Sequence, residues 1–445
     1  MNPGRHGTKD ILVVGAGLTG LATATRLQRS YRLFEAEAEP GGLARTSQWR
    51  GFHFDRTGHW FHARTKEVRS FLQEVLPDGW MTVSRKAKAF SYGVETAYPF
   101  QLHLHGHDRR TVYECLLGLW KAREERNKSR PRTFEEFILR NFGPGISRYF
   151  LVPYNEKLWG VHPSLMTADW CQRFVPVPDL SQVLAGALGL SLDELGYNIE
   201  FLYPKEGGIG ALARAMAQRL DRDRVHFNAR VERIDHRRHR LLVAGQWHDY
   251  DSLVSTMPLP ELIRTLLRPP PSVEQAASRL KSTGIFYLDA GIKNIQKDYH
   301  WVYVPEKRHP FYRVGIYSNA IPSMAPKGQS SLYIELADRS VTLSDDELLR
   351  LVAPGLVEMG IIESIDDILF VRKRHIPYAY VIYDEAYRRA RTRLLRFLER
   401  HDIYSAGRYG SWVYNSMEDS ILEGFALAKR LSATPRRNSG DSLHG

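Results

Sequence analysis

Short apolar runs and small-residue stretches alternate through the first fifty residues. Asp10–Val14 (DILVV) has the length and continuity of a buried parallel strand. Leu18–Leu27, rich in Leu and Ala, predicts a helix, and Tyr31–Phe34 (YRLF) a second strand ending at Glu35. Further on, residues 76–204 read as mostly helical. Residues 266–399 read as β-rich, with strands around Leu288, Tyr303, Ile316, Tyr333 and Val371. Residues 389–400 predict a surface helix of mixed charge. The tail, residues 433–445, is polar and predicts disorder.

The turn between the first strand and the helix carries the first chemistry. It reads Gly15-Ala16-Gly17-Leu18-Thr19-Gly20. Gly15 permits the tight turn, Gly17 lets the backbone approach a pyrophosphate, and Gly20 lets helix and strand pack closely. The helix N-terminus, with Thr19 in its first turn, offers free N–H groups and a positive dipole to phosphates. Glu35, twenty residues after Gly15, stands where a carboxylate binds ribose hydroxyls. Strand, glycine turn, helix, strand and acid together predict a dinucleotide site.

A second glycine motif follows, Pro40-Gly41-Gly42-Leu43-Ala44-Arg45. It resembles the one that lines the pyrophosphate and flavin in the large FAD-dependent oxidase and mutase superfamily. Residues 224–234, with Val231, resemble the strand touching adenine there, and 251–258 the strand and turn after it. Residues 403–408 resemble the strand carrying the last flavin contacts. The fold class implied is α/β. A discontinuous, Rossmann-like FAD-binding domain uses residues 1–75, 205–265 and 400–432. A mostly helical nucleotide or substrate region (76–204) and a β-sheet substrate region (266–399) lie between its pieces.

Within that superfamily the chain resembles UDP-galactopyranose mutases, especially the eukaryotic type. The resemblance rests on the segments FHFDRTGH (52–59), YPFQ (98–101), FLVPYNEKLW (150–159), WCQR (170–173), GYN (196–198), WVYVP (301–305), PFYRVGIYSN (310–319) and GRYGSWVY (407–414). It implies a mutase interconverting pyranose and furanose forms of UDP-galactose or a related sugar nucleotide. The reaction runs through a covalent adduct between flavin N5 and the sugar, without net redox change. FAD would act reduced, and NADH or NADPH would reduce it in the same cleft, because no second dinucleotide fingerprint exists.

The resemblance also implies residue roles. Gly15, Gly17, Thr19, Gly20, Glu35, Gly42, Leu43, Arg45, Gly58, His59, Val231, Gly407, Arg408 and Ser420 would bind FAD. His59 would sit near flavin N5 and the C4 carbonyl, with Thr57 in place of the usual glycine. Arg408 would stabilise the reduced, anionic flavin. Arg173 and Lys293 would hold the diphosphate, Lys293 replacing an arginine and so lacking its bidentate fork. Tyr414 and Tyr380 would join them, with Tyr378 a rival for Tyr380. Tyr98, Gln101, Phe150, Asn155, Trp159 and Asn198 would surround the nucleotide and sugar. Phe150 and Trp159 equally suit plain core packing, since both lie in an apolar helical context.

Composition narrows the field. Formal net charge is +12, which fits a solvated basic surface or a bias toward an anionic small molecule. No nucleic-acid motif accompanies the basic residues. Two cysteines, Cys115 and Cys171, exclude a disulfide framework and a cysteine metal site. No apolar run reaches 18 residues, so no membrane span is expected. A reducing, cytoplasmic location fits, and a homo-oligomer stays open. No metal is expected: His103, His105 and His107 lack accompanying carboxylates. Cys171 reads as a small buried residue. Two rivals remain. One is an FAD-dependent oxidoreductase of the amine oxidase, protoporphyrinogen oxidase or desaturase type, which residues 207–220 would suit. The other is a non-enzymatic flavoprotein whose mutase constellation has decayed.

Overall fold

The computed structural model describes residues 10–125, 130–171, 175, 177–190, 200–293, 295–339 and 342–433. Two seven-stranded sheets organise the chain. The first has Asp10–Val14 at its centre, parallel to Tyr31–Phe34 on one side and to residues 250–255 on the other. Ile403–Ser405 adds a further parallel strand against 253–255. An antiparallel extension runs through Arg240–Val243 to Val231–Asp235. Ile11, Leu12, Val13 and Leu33 have no exposed surface, which explains their unbroken apolar runs. Strands from three separated stretches thus meet in one sheet.

The helix Leu18–Arg26 packs against the long C-terminal helix Met417–Ala433. Gly424 makes that contact possible, since a Cβ there would lie 2.6 Å from the Thr19 carbonyl oxygen. Phe71 crosses Phe425 edge-on, with ring centroids 4.9 Å apart. Burial of each such ring stabilises the fold by about 1.5–3 kcal/mol.

The second sheet runs in the order 368–382, 281–293, 329–336, 311–316, 301–303, 87–91 and 94–97. Its last two strands come from the stretch read as mostly helical. They join through a parallel pairing of residues 301–303 with 87–89. The helices of that stretch, Arg109–Glu124 and Phe134–Ile146, pack closely at Gly143. With φ +72°, Gly143 sits where a Cβ would lie 2.1 Å from the Gly118 carbonyl oxygen.

The helix Val152–Trp159 is fixed to the second sheet by one buried lysine. Lys157 Nζ donates to the carbonyls of Val304, Glu306 and Phe311, at 3.0, 2.8 and 2.6 Å. Three carbonyls around one ammonium replace its lost water. Burial still wins and lowers the Lys157 pKa to about 7, with Glu306 opposing. Arg339 donates to the Lys157 and Leu158 carbonyls near the end of the same helix. No described helix is long and apolar enough to cross a membrane.

Candidate active site

A cavity of about 1040 Å³ opens between the two sheets, at the large end of small-molecule sites. At one end it is lined by the first glycine turn, Glu35 and Glu37, the second glycine turn, and Val231. The two turns touch through a bridge between Gly17 and Gly41. A Cβ on Gly17 would meet nothing within 4 Å, so that backbone is open to a ligand. Gly20 faces away: its Cβ would lie 1.9 Å from the Gly15 carbonyl oxygen. Glu35 is buried and accepts from the Ala16 and Glu37 backbone N–H groups at 2.6 and 2.9 Å. That fixes the carboxylate at the cavity edge. Thr19, Leu43 and Ser420 also line the cavity, as do Asn415, Ser416 and Met417 where the C-terminal helix begins.

Arg45 departs from its expected position. It does not line the cavity. Its guanidinium donates to the carbonyls of Glu39 and Pro40 and approaches Glu37 at 3.7 Å, closing its own loop. Gly407 also stands back, packed on Thr19.

The other end is built from side chains. Gly58 and His59 line it. The hydroxyl of fully buried Tyr317 lies 3.0 Å from the carbonyl oxygens of both Asp55 and Thr57. Asp55, also buried, accepts from Thr46, Tyr203 and the Ile209 N–H. Burial pushes its pKa up to about 7 against those hydrogen bonds. Thr57 adopts φ +68°, a strained conformation for a β-branched residue and the one that glycine adopts freely. The Thr57 carbonyl is 3.3 Å from His59 Nδ1, which makes Nδ1 the protonated nitrogen. Burial, reinforced by Arg408, Arg313 and Arg56, lowers the His59 pKa to about 4. At neutral pH His59 is therefore uncharged, with Nε2 as an acceptor.

Arg408 donates to the Asn415 and Ala379 carbonyls at 2.6 and 2.9 Å and lies 4.5 Å from the Tyr414 ring centroid. Burial opposes its charge, but neighbouring tyrosines raise its pKa. Tyr380 and Tyr414 line the cavity beside it, with centroids 6.0 Å apart. Burial raises the Tyr380 pKa, so its hydroxyl stays protonated. Tyr378 lines the cavity too, but its hydroxyl donates to Glu261.

Lys293 is not brought to this place. It is the last residue of the strand Lys281–Lys293, one in from the sheet's edge, its side chain is 56% exposed, and it pairs with Asp367 at 3.6 Å. The lysine falls there because its strand runs out of the core toward solvent. A cation that does line the cavity is Arg313, held by Glu335 at 2.9 and 2.5 Å; the Glu335 side chain is fully buried. Arg313 and Tyr303 lie within two of the segments on which the resemblance rests; spacing alone did not single them out. Arg56, within the segment 52–59, and Trp60 and His62 also line the cavity, and the sequence assigned none of them a role.

The expected nucleotide-side residues lie outside the lining. Phe150 is stacked between Phe100 and Tyr154, at 5.1 and 5.4 Å. Trp159 is buried against Trp170 and Tyr380, and its Nε1 donates to Asn155 Oδ1 at 3.1 Å. Gln101 is buried, and Tyr98 packs on Tyr303 with centroids 4.4 Å apart. Core packing accounts for Phe150 and Trp159 as they stand. Arg173 and Asn198 lie outside the described residues. Cys115 and Cys171 are buried and unpaired.

A dinucleotide-binding sheet, two abutting glycine turns and a long cavity reaching a second sheet define a flavoprotein fold. Residues 18–432 match the sequence family of flavin-containing amine oxidoreductases, and the chain belongs to that family. Among solved structures it is similar to a reduced UDP-galactopyranose mutase, at 25% identity and TM-score 0.88 over 95% of this chain and 94% of that one. A proposed protoporphyrinogen oxidase from Exiguobacterium sp. 255-15 shares 16% identity, TM-score 0.74, over 96% and 99%. Cyclohexylamine oxidase from Brevibacterium oxydans shares 15%, TM-score 0.68, over 96% and 99%. The two oxidases share the fold.

Proposed function

We propose that the protein is a flavin-dependent sugar-nucleotide mutase that interconverts pyranose and furanose forms of UDP-galactose or a related substrate. One observation carries the reading: two half-buried guanidiniums, Arg313 and Arg408, face the cavity among Tyr303, Tyr380 and Tyr414, beside His59. A diphosphate that leaves a sugar and returns needs such fixed charge. A cationic amine substrate would be repelled by it.

Bound and reduced, FAD supplies a nucleophilic nitrogen for the anomeric carbon, with NADH or NADPH as its reductant. The chain does the rest. Arg313, oriented by Glu335, and Arg408, oriented by two carbonyls, hold the diphosphate while its bond to the sugar is broken. Tyr380 and Tyr414 donate to its oxygens. His59 Nε2 would take the proton that the attacking nitrogen gives up and pass it to the ring oxygen as the sugar ring opens, with the reverse transfer on closure. Arg173 and Asn198 belong to the proposed set by resemblance. Two buried free thiols suit a reducing compartment such as the cytoplasm.

The test is to reduce the holoprotein with dithionite and incubate it with a panel of nucleotide sugars, following ring forms by chromatography. Interconversion only in the reduced state is the expected result. Absence of interconversion, with flavin reduction by an amine or other carbon donor, would replace the mutase by an oxidoreductase.

A further inference from the structure

We propose that Arg56 is the guanidinium that meets the pyrophosphate of FAD, in the role that the resemblance implies for Arg45. The inference rests on FAD being the bound flavin. Arg45 is turned away and engaged with Glu39, Pro40 and Glu37. Arg56 lines the cavity, and no hydrogen bond or ion pair engages it among the described residues. A partly buried guanidinium without an acceptor is costly, and a ligand anion removes that cost.

The surroundings indicate which anion. Arg56 shares its electrostatic environment with Arg45 and Glu37, at the second glycine turn, and with Tyr287 and Arg374. Burial, then the like charge of Arg45, lowers the Arg56 pKa, whereas an anion would restore it. Glu35 and Glu37 line the same stretch, so a pyrophosphate there meets two carboxylates and needs a compensating cation. Among the other lining guanidiniums, Arg313 and Arg408 belong to the opposite end of the cavity with His59, while Arg230 pairs with Glu37 and Arg264 with Glu261. Arg233 is exposed at the surface. Arg56 also adjoins strained Thr57, so its contact would tie the cofactor's phosphates to the loop that carries His59.

Apoprotein binding of FAD, ADP and riboflavin, measured by calorimetry and flavin fluorescence, tests this. Arg56→Met should weaken FAD and ADP by about 10- to 100-fold, the loss of a charge-assisted contact, and leave riboflavin unchanged. Arg56→Lys should recover part of the loss, and it serves as the test should the Met variant not fold. Arg45→Met should lower thermal stability and leave the salt dependence of FAD binding as in the parent. Parental FAD affinity in Arg56→Met, or an equal loss for riboflavin, would overturn the proposal alone. Failure of the parent apoprotein to bind FAD would overturn the flavin assignment with it.

Discussion

The two ends of the cavity are made of different material. The end with the glycine turns is mostly main chain: two turns in contact, a helix start and one clamped carboxylate. The other end is mostly side chain, with guanidiniums, tyrosines and a histidine delivered by strands and loops far apart in sequence. Main chain makes a generic anion site that tolerates change in neighbouring side chains but not in backbone path. Side chains make a specific site whose charge depends on each partner that holds it.

The comparison can be broken most severely at Gly20. Gly20→Val drives a side chain into the Gly15 carbonyl, so the turn cannot close. No flavin should be retained, and purified protein should show a visible absorbance loss and a destabilisation of several kcal/mol, roughly the scale of core overpacking. At the other end Arg408→Met should leave flavin bound and lower kcat/KM for the nucleotide sugar about 10²- to 10³-fold, as loss of a preorganised charge does. If flavin content fell instead, the two ends would not be separable. The smallest effect is expected for Lys293→Ala. Its ion pair with Asp367 is exposed and screened by solvent, so it contributes little. Steady-state kinetics within twofold of the parent would separate it from the diphosphate site, and a large rise in KM would return it there.

The same contrast explains what was legible in the sequence. Gly15, Gly17, Glu35 and Gly42 act through local geometry at fixed spacing, and their placement follows from a few dozen residues. The origin of the first sheet's strands in separated stretches was implied by the resemblance of residues 224–234, 251–258 and 403–408, not by spacing. Arg313 was hidden because its meaning comes from Glu335, its cross-strand neighbour, and from the strand Trp301–Tyr303 beside it. Lys293 was misplaced because two charged positions near the second sheet look alike until the register says which faces inward. Arg45 carried an expectation and Arg56 none, since only the hydrogen bonds tell which of these two arginines is engaged. The parallel pairing of residues 87–89 with 301–303 is a long-range contact that no local pattern announces.

Lys157, held by three carbonyls, has a thermodynamic signature of its own. Its pKa falls from 10.5 in a solvated chain to about 7 in the fold. Between those values the unfolded chain carries a proton that the native protein does not, so this group makes stability rise with pH across that window. Unfolding there takes up about one proton from the buffer. The heat of unfolding measured at one pH in Tris and in phosphate should therefore differ by the difference in the two buffers' ionisation enthalpies. The lysine that joins helix to sheet would thus be read out as a proton count in a calorimeter.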